Sequence, residues 1–132
     1  MIYALDSNII SYLVDNNKQI ISQARDICSN GGSIVIPPMV YYEVLRGFRH
    51  RRSPKKESAF FHTCSMFPVG KMNIDTWEKA ADIYGKSRKT GRVIDDGDIL
   101  IAAFCVTNGY TLVTNNEKHF KGIEGLAIEN WC

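Results

Sequence analysis

The chain has 132 residues, 45% hydrophobic and 23% charged, with a formal net charge of +2. Such a composition suits a soluble globular protein, long enough to bury about two-thirds of its unfolded surface, and predicts a single domain over residues 1–132. The longest apolar run, Ile99 to Val106, is too short to cross a bilayer, and no basic segment precedes an apolar stretch and cleavage site at the start, so a cytoplasmic protein off the membrane is expected.

Ile2 to Leu5 is a continuous apolar run of the kind buried parallel strands show, and it stops on a carboxylate, Asp6. Ser7 to Val14 reads as helix. Asp6 therefore falls at the carboxyl end of a strand, where open α/β sheets place ligands. The plainer role of an acid there is to cap the following helix. Ile20, Ile21, Ala24, Ile27 and Cys28 recur at helical spacing, and Gly31-Gly32 ends that helix. Ser33 to Ile36 is the second strand, closed by Pro37-Pro38. A helix from about Met39 carries Glu43 and runs toward Gly47.

The segment from Arg46 to Lys56 then gathers Arg46, Arg49, Arg51, Arg52, Lys55 and Lys56 with no acid among them. Blocks of this kind suit phosphate backbones or an acidic protein partner, although a charge run alone is more often a solvated loop. Ser53-Pro54 resembles a cap and first-turn proline, with Phe60, Phe61, Cys64 and Phe67 as the apolar side of the next helix. Asp75-Thr76-Trp77-Glu78 has the form of a capping box, with Trp77, Ala80, Ala81 and Tyr84 on one face beyond it. Lys86, Arg88, Lys89 and Arg92 form a second basic cluster, and Gly91 suits the position after that helix. Asp95-Asp96-Gly97-Asp98 opens an apolar helix ending near Asn108-Gly109. Tyr110 to Thr114 and Leu126 to Glu129 complete a parallel sheet of four to five strands.

The cysteines at 28, 64, 105 and 132 never form a Cys-x-x-Cys pair, which argues against a zinc knuckle or redox motif. Cys28 and Cys105 read as core residues. The acids are more telling. In a parallel sheet Asp6, Glu43, Asp98 and Asn116 all come to the carboxyl-terminal edge. Taken singly the acids have ordinary readings, Glu43 as a solvated residue near Arg46, Asp98 as a helix-start charge, and Asp95 and Asp96 as caps. Gathered together, the carboxylates repel one another unless protonated or bridged, and Mg²⁺ or Mn²⁺ is the natural counter-charge for oxygen ligands.

These residues resemble the PIN-domain ribonucleases, and specifically the toxins of bacterial VapBC toxin–antitoxin modules. The likeness rests on Ala4-Leu5-Asp6-Ser7-Asn8, on Tyr42-Glu43-Val44-Leu45-Arg46-Gly47, similar to the family's Glu-Leu-x-x-Gly element, and on Asp98-Ile99-Leu100-Ile101-Ala102-Ala103. It continues through Leu112-Val113-Thr114-Asn115-Asn116-Glu117-Lys118-His119-Phe120 to the segment from Gly125 to Cys132. The resemblance implies a three-layer α/β/α fold and Mg²⁺- or Mn²⁺-dependent cleavage of RNA, often a structured RNA such as a tRNA. Asp6, Glu43 and Asp98 would be the catalytic acids and metal ligands, with Ser7 supporting Asp6 through its hydroxyl or backbone.

Many family members carry a fourth acid where Asn116 stands. As a catalytic residue Asn116 can still orient a metal-bound water, but it contributes no charge, and whether Glu117 or Asp95 replaces the acid stays open. One tightly held ion is expected without RNA. Arg46, Arg49, Arg51, Arg52, Lys86 and Arg88 are the expected RNA-phosphate contacts, and an antitoxin protein and a homodimer are the expected partners. Phe60-Phe61 or Ile9-Ile10 are candidates for such contacts, their ordinary reading being core. His119 reads as a packed or capping residue. A phosphatase using an aspartyl nucleophile needs an acid where Asn8 stands, and a receiver domain needs paired acids at the first strand end. The alternative from another class is a catalytically weak or inactive PIN-like module that binds RNA or protein.

Overall fold

Four strands alternate with seven helices, and all paired strands run parallel, in the order β2-β1-β3-β4. The computed structural model describes residues 1–132. The strands are β1 (Ile2–Leu5), β2 (Ser33–Val35), β3 (Thr111–Val113) and β4 (Ala127–Glu129). The helices are α1 (Ser7–Val14), α2 (Lys18–Ser29), α3 (Pro38–His50), α4 (Pro54–Met66), α5 (Ile74–Lys89), α6 (Asp96–Asn108) and α7 (Glu117–Phe120). They flank the sheet in the α/β/α arrangement that the sequence pattern predicts. No helix is long and apolar enough to cross a membrane.

β1 is central because its residues are apolar throughout, with Ala4 and Leu5 fully buried. Its register pairs Leu5 with Val113 of β3. The ladder continues one residue further, where the Asp6 N–H donates to the Val113 carbonyl at 2.9 Å. The residue after each strand is thus carried to one edge, Asp6 beside Thr114. α6 is apolar around most of its circumference, burying Ile99 and every residue from Ile101 to Cys105. Gly109 ends it in a left-handed conformation, φ 69°.

Several expectations are corrected. α3 runs past Gly47 to His50, so Arg49 is helical rather than in a loop. The cap of α5 is Asn73, whose side-chain oxygen accepts from the Thr76 N–H at 3.0 Å; Asp75 is a first-turn acid instead of the start of a capping box. The face of α5 turned inward carries Thr76, Ala80, Ile83 and Ser87, leaving Trp77 and Tyr84 exposed. A polar Thr wins an inward place because its hydroxyl finds Asn73 and Thr107. Ser53 makes no side-chain capping bond to α4. Cys28 is exposed, while Cys105 is buried, and burial pushes its thiol well above the usual range, as befits an inert core residue. Ile9, Ile10 and Phe60 are fully buried core, which leaves only Phe61 of those four at the surface.

Candidate active site

Asp6 is 3% exposed and is the most firmly held acid of the molecule. The Ser7 backbone N–H donates to its Oδ1 at 2.8 Å, the Thr114 hydroxyl to its Oδ2 at 2.7 Å, and the Asn8 amide to Oδ2 at 3.3 Å. Ser7 therefore supports Asp6 through the backbone. Asp6 also serves as the N-cap of α1, so the capping role and the strand-end position coincide. Thr114 is fully buried, and its hydroxyl accepts the Asn116 N–H at 2.9 Å, linking the start of α7 to the Asp6 shell.

Glu43 comes from the second turn of α3 and lies against the start of α6. A Cβ on Gly97 would meet the Glu43 Oε2 at 2.7 Å, so the glycine leaves the room in which the carboxylate lies against the N-terminus of α6. Burial pushes the Glu43 carboxyl above the usual carboxylate range, the Asp6 charge pushes it the same way, Arg46 opposes, and Asp98 adds to the rise. Asp98, third residue of α6, is likewise raised, first by burial; His119 opposes, and the charges of Asp6 and Asp95 add to the rise. The three acids thus feel one another.

The Asp98 Oδ2 lies 3.1 Å from Nδ1 of His119, whose side chain is 54% exposed. His119 is therefore neither packed nor a cap; it is the protein's own partner for one of the acids. Asn116 stands exposed at the N-cap of α7 and makes no side-chain capping bond. Glu117 accepts from the Asn130 amide at 3.2 Å and is directed to the C-terminal segment. Asp95, which raises Asp98, is the better placed of the two to add charge at the site. As the side chains stand, no three of the acids and histidines converge as ligands of one ion.

Two hollows flank the acids. One of about 290 Å³ is lined by Ser7, Ser11, Glu43, Arg46 and Arg51; the other, about 180 Å³, by Arg92, Asp95, Asp98, Lys118 and His119. A larger hollow, about 380 Å³, lies elsewhere between α2 and α4, lined by residues such as Val14, Ile21, Ala24 and Met66, and lacks converging charges. The basic residues divide sharply. Arg49 pairs with Glu57 at 3.2 Å and Lys86 with Glu124 at 3.0 Å. Arg46 stacks on Tyr42, Arg51 on Phe48 and Arg88 on Tyr84, and all three arginines are exposed. Arg52 is exposed with a left-handed backbone, φ 50°, just past the end of α3. Arg92, the last cation of the second basic cluster, donates to the carbonyls of Lys118, His119 and Lys121.

The sequence reading missed Thr114, Gly97 and His119. A hydroxyl ending a strand that neighbours β1 was the available signal for Thr114. For Gly97, it was a glycine between two acids at a helix start, where a glycine costs helix stability. His119 offered none, because its contact depends on how α7 packs.

A parallel α/β/α sheet with one buried and two half-buried, mutually repelling carboxylates at its carboxyl edge defines an acid-centred PIN-like fold. Residues 3–126 match the PIN domain family, and the chain belongs to it. Ribonuclease VapC2 of Rickettsia felis is 30% identical over 136 residues, covering 99% of this chain and 98% of the relative. The tRNA(fMet)-specific endonuclease VapC of Shigella flexneri is 23% identical over 134 residues, covering 98% and 97%. The crystal structure of VapBC2 from Rickettsia felis bound to a promoter DNA fragment superposes with a TM-score of 0.93 at 25% identity, covering both chains fully. VapBC-1 from nontypeable Haemophilus influenzae gives 0.88 at 26% identity, covering 99% and 98%.

Proposed function

We propose that this chain is an endoribonuclease, the toxin of a toxin–antitoxin pair, which hydrolyses RNA phosphodiester bonds with a divalent metal ion held by Asp6 and Asp98, with Glu43 completing the shell. The observation that carries this reading is the gathering of three acids at the sheet edge, two of them with raised carboxyls, beside a hollow that also holds Arg46 and Arg51. Acids held together against one another's charge in that position call for a cation, and an all-oxygen donor set fits Mg²⁺ or Mn²⁺. That three side chains do not converge is compatible with such an ion, since Mg²⁺ keeps several waters and is commonly held by one or two carboxylates plus substrate phosphate.

The ion, when bound, supplies Lewis-acid stabilisation of the phosphoryl charge and makes water nucleophilic at neutral pH. The protein does the rest. Thr114, Asn8 and the Ser7 N–H fix the direction of Asp6, so no rotamer search precedes the reaction. Glu43, whose carboxyl is raised by burial and by the Asp6 charge, is the stronger base for it, and accepts and steers a proton of the attacking water. Arg46 and Arg51 hold RNA phosphate next to the acids, and Arg52 and Arg88 extend the contact along the backbone. Asn116 orients solvent without adding charge. The relatives' names favour a structured RNA such as tRNA as substrate and an antitoxin protein as partner; a cytoplasmic homodimer is the form in which we expect the chain to act.

The test is incubation of the purified chain with total small RNA in Mg²⁺, in Mn²⁺ and in EDTA. Discrete products that disappear in EDTA and carry 5′-phosphate ends are expected. RNA binding unaffected by EDTA, with no products across a broad substrate panel, would overturn the nuclease reading in favour of an RNA-binding module.

A further inference from the structure

The residue that the function leaves unexplained is Arg92. It lies in the turn between α5 and α6, and its guanidinium is committed to the protein rather than free for RNA. Nη2 donates to the Lys118 carbonyl at 3.1 Å and to the His119 carbonyl at 2.9 Å, and Nη1 donates to the Lys121 carbonyl. These are the carbonyls at the end of α7, which a helix leaves without partners of its own. Gly122 completes the cradle, because a Cβ there would lie 3.3 Å from Nη1, and its φ of +87° already favours glycine.

α7 needs such a brace. It has four residues, a single turn, far below the length at which a helix sustains itself in water. Its apolar anchor is Phe120, fully buried. The carbonyl end is tied down by Arg92. His119 is thereby held at two points, its carbonyl on Arg92 and its Nδ1 on Asp98. Arg92 also precedes Asp95 and Asp98 by only a few residues, so one side chain braces the approach to α6 against α7, the two elements that carry Asp98 and His119.

Building on the nuclease reading, we propose that Arg92 is a positioning residue: it clamps α7 so that His119 meets Asp98 and fixes the orientation of that carboxylate. It acts through His119 and touches neither RNA nor ion. An arginine is required because its planar fork reaches three carbonyls, whereas an ammonium presents a compact point charge.

The experiment compares Arg92→Ala, Arg92→Lys, His119→Gln and the double variant Arg92→Ala/His119→Gln in the full chain. For the clamp, kcat falls about 10–100-fold in Arg92→Ala, as for loss of groups that orient ligand carboxylates. KM and the salt dependence of RNA binding stay at the wild-type values, Arg92→Lys is not rescued, and the double variant is no slower than His119→Gln. A phosphate-binding arginine gives the opposite pattern: KM rises, Arg92→Lys recovers, and the salt slope drops by about one. That pattern overturns the proposal. A readout independent of cleavage is the imidazole ¹⁵N spectrum of His119 in the metal-free chain. In Arg92→Ala its Nδ1 signal should move to the position it takes in Asp98→Asn. A folded Arg92→Ala variant with an unmoved signal removes the clamp even if the wild type cleaves RNA. A wild type that cleaves nothing refutes the nuclease reading instead, and the spectrum still decides the clamp.

Discussion

At Asp6, donors from Ser7, Asn8 and Thr114 converge on a carboxylate that is 3% exposed, while at Asp98 a single histidine, itself mostly exposed, meets one oxygen. The first acid is built into the sheet edge by strand register. The second sits at a helix start and depends on a one-turn helix fastened by Arg92. The contrast separates a rigid half of the site from an adjustable one. Changes around Asp6 should couple activity to stability, and changes around α7 should affect activity with little cost to the fold.

The largest expected effect is at Asp6 itself. Asp6→Asn should lower RNA cleavage on the order of 10³-fold, equivalent to several kcal/mol of charge stabilisation. Gel quantification of products checks it, and near-normal cleavage would dissolve the distinction between the two halves. Thr114→Val keeps the shape but removes the buried hydroxyl that joins Asp6 to Asn116. Losing a hydrogen bond to a charged group costs about 1.5–3 kcal/mol, so Tm should fall by roughly 5–10 °C along with activity. Calorimetry that shows an unchanged Tm would mean that the strand-end shell is not a stabilising unit.

Glu43→Gln should act in the other direction on the metal-free protein. A carboxyl raised in the folded state binds its proton more tightly there than in the unfolded chain, so stability is full below the ordinary carboxylate range and falls as pH rises through the raised value. Removing that charge should raise Tm near neutrality, by an amount that solvent screening of this half-exposed group keeps small, and flatten its fall with pH. A decrease would show that Glu43 is a net stabiliser. The smallest effect is expected at Arg49, an exposed partner of Glu57. Arg49→Ala should change stability by no more than about 0.5 kcal/mol by chemical denaturation.

The same contrast describes what was legible in the sequence. Asp6 and Asp98 could be placed because a strand end and a helix start are local features, marked by Ile2 to Leu5 and by the run beginning at Ile99. Glu43 followed from the helix after Pro37-Pro38, but its seat on Gly97 is a contact between distant elements that no local pattern encodes. Thr114 is legible only once β3 is known to lie beside β1. Asp75 fits a capping pattern, yet Asn73, two residues earlier, is the cap the backbone takes. Helical spacing sets Trp77 and Tyr84 on one face with Ala80, whereas the packing of α5 on α6 turns Thr76 and Ile83 to the core. The basic cluster misled most, since charge does not reveal that Arg92 is already spoken for by three carbonyls.

The most direct test of the central claim is the rate of discrete product formation from small RNA by wild type and Asp98→Asn, each in Mg²⁺ and in EDTA. Products only from the wild type and only with Mg²⁺ are expected, both chains giving the same circular dichroism spectrum. Equal cleavage by the two chains, or cleavage that survives EDTA, would contradict a metal-dependent acid site at this sheet edge.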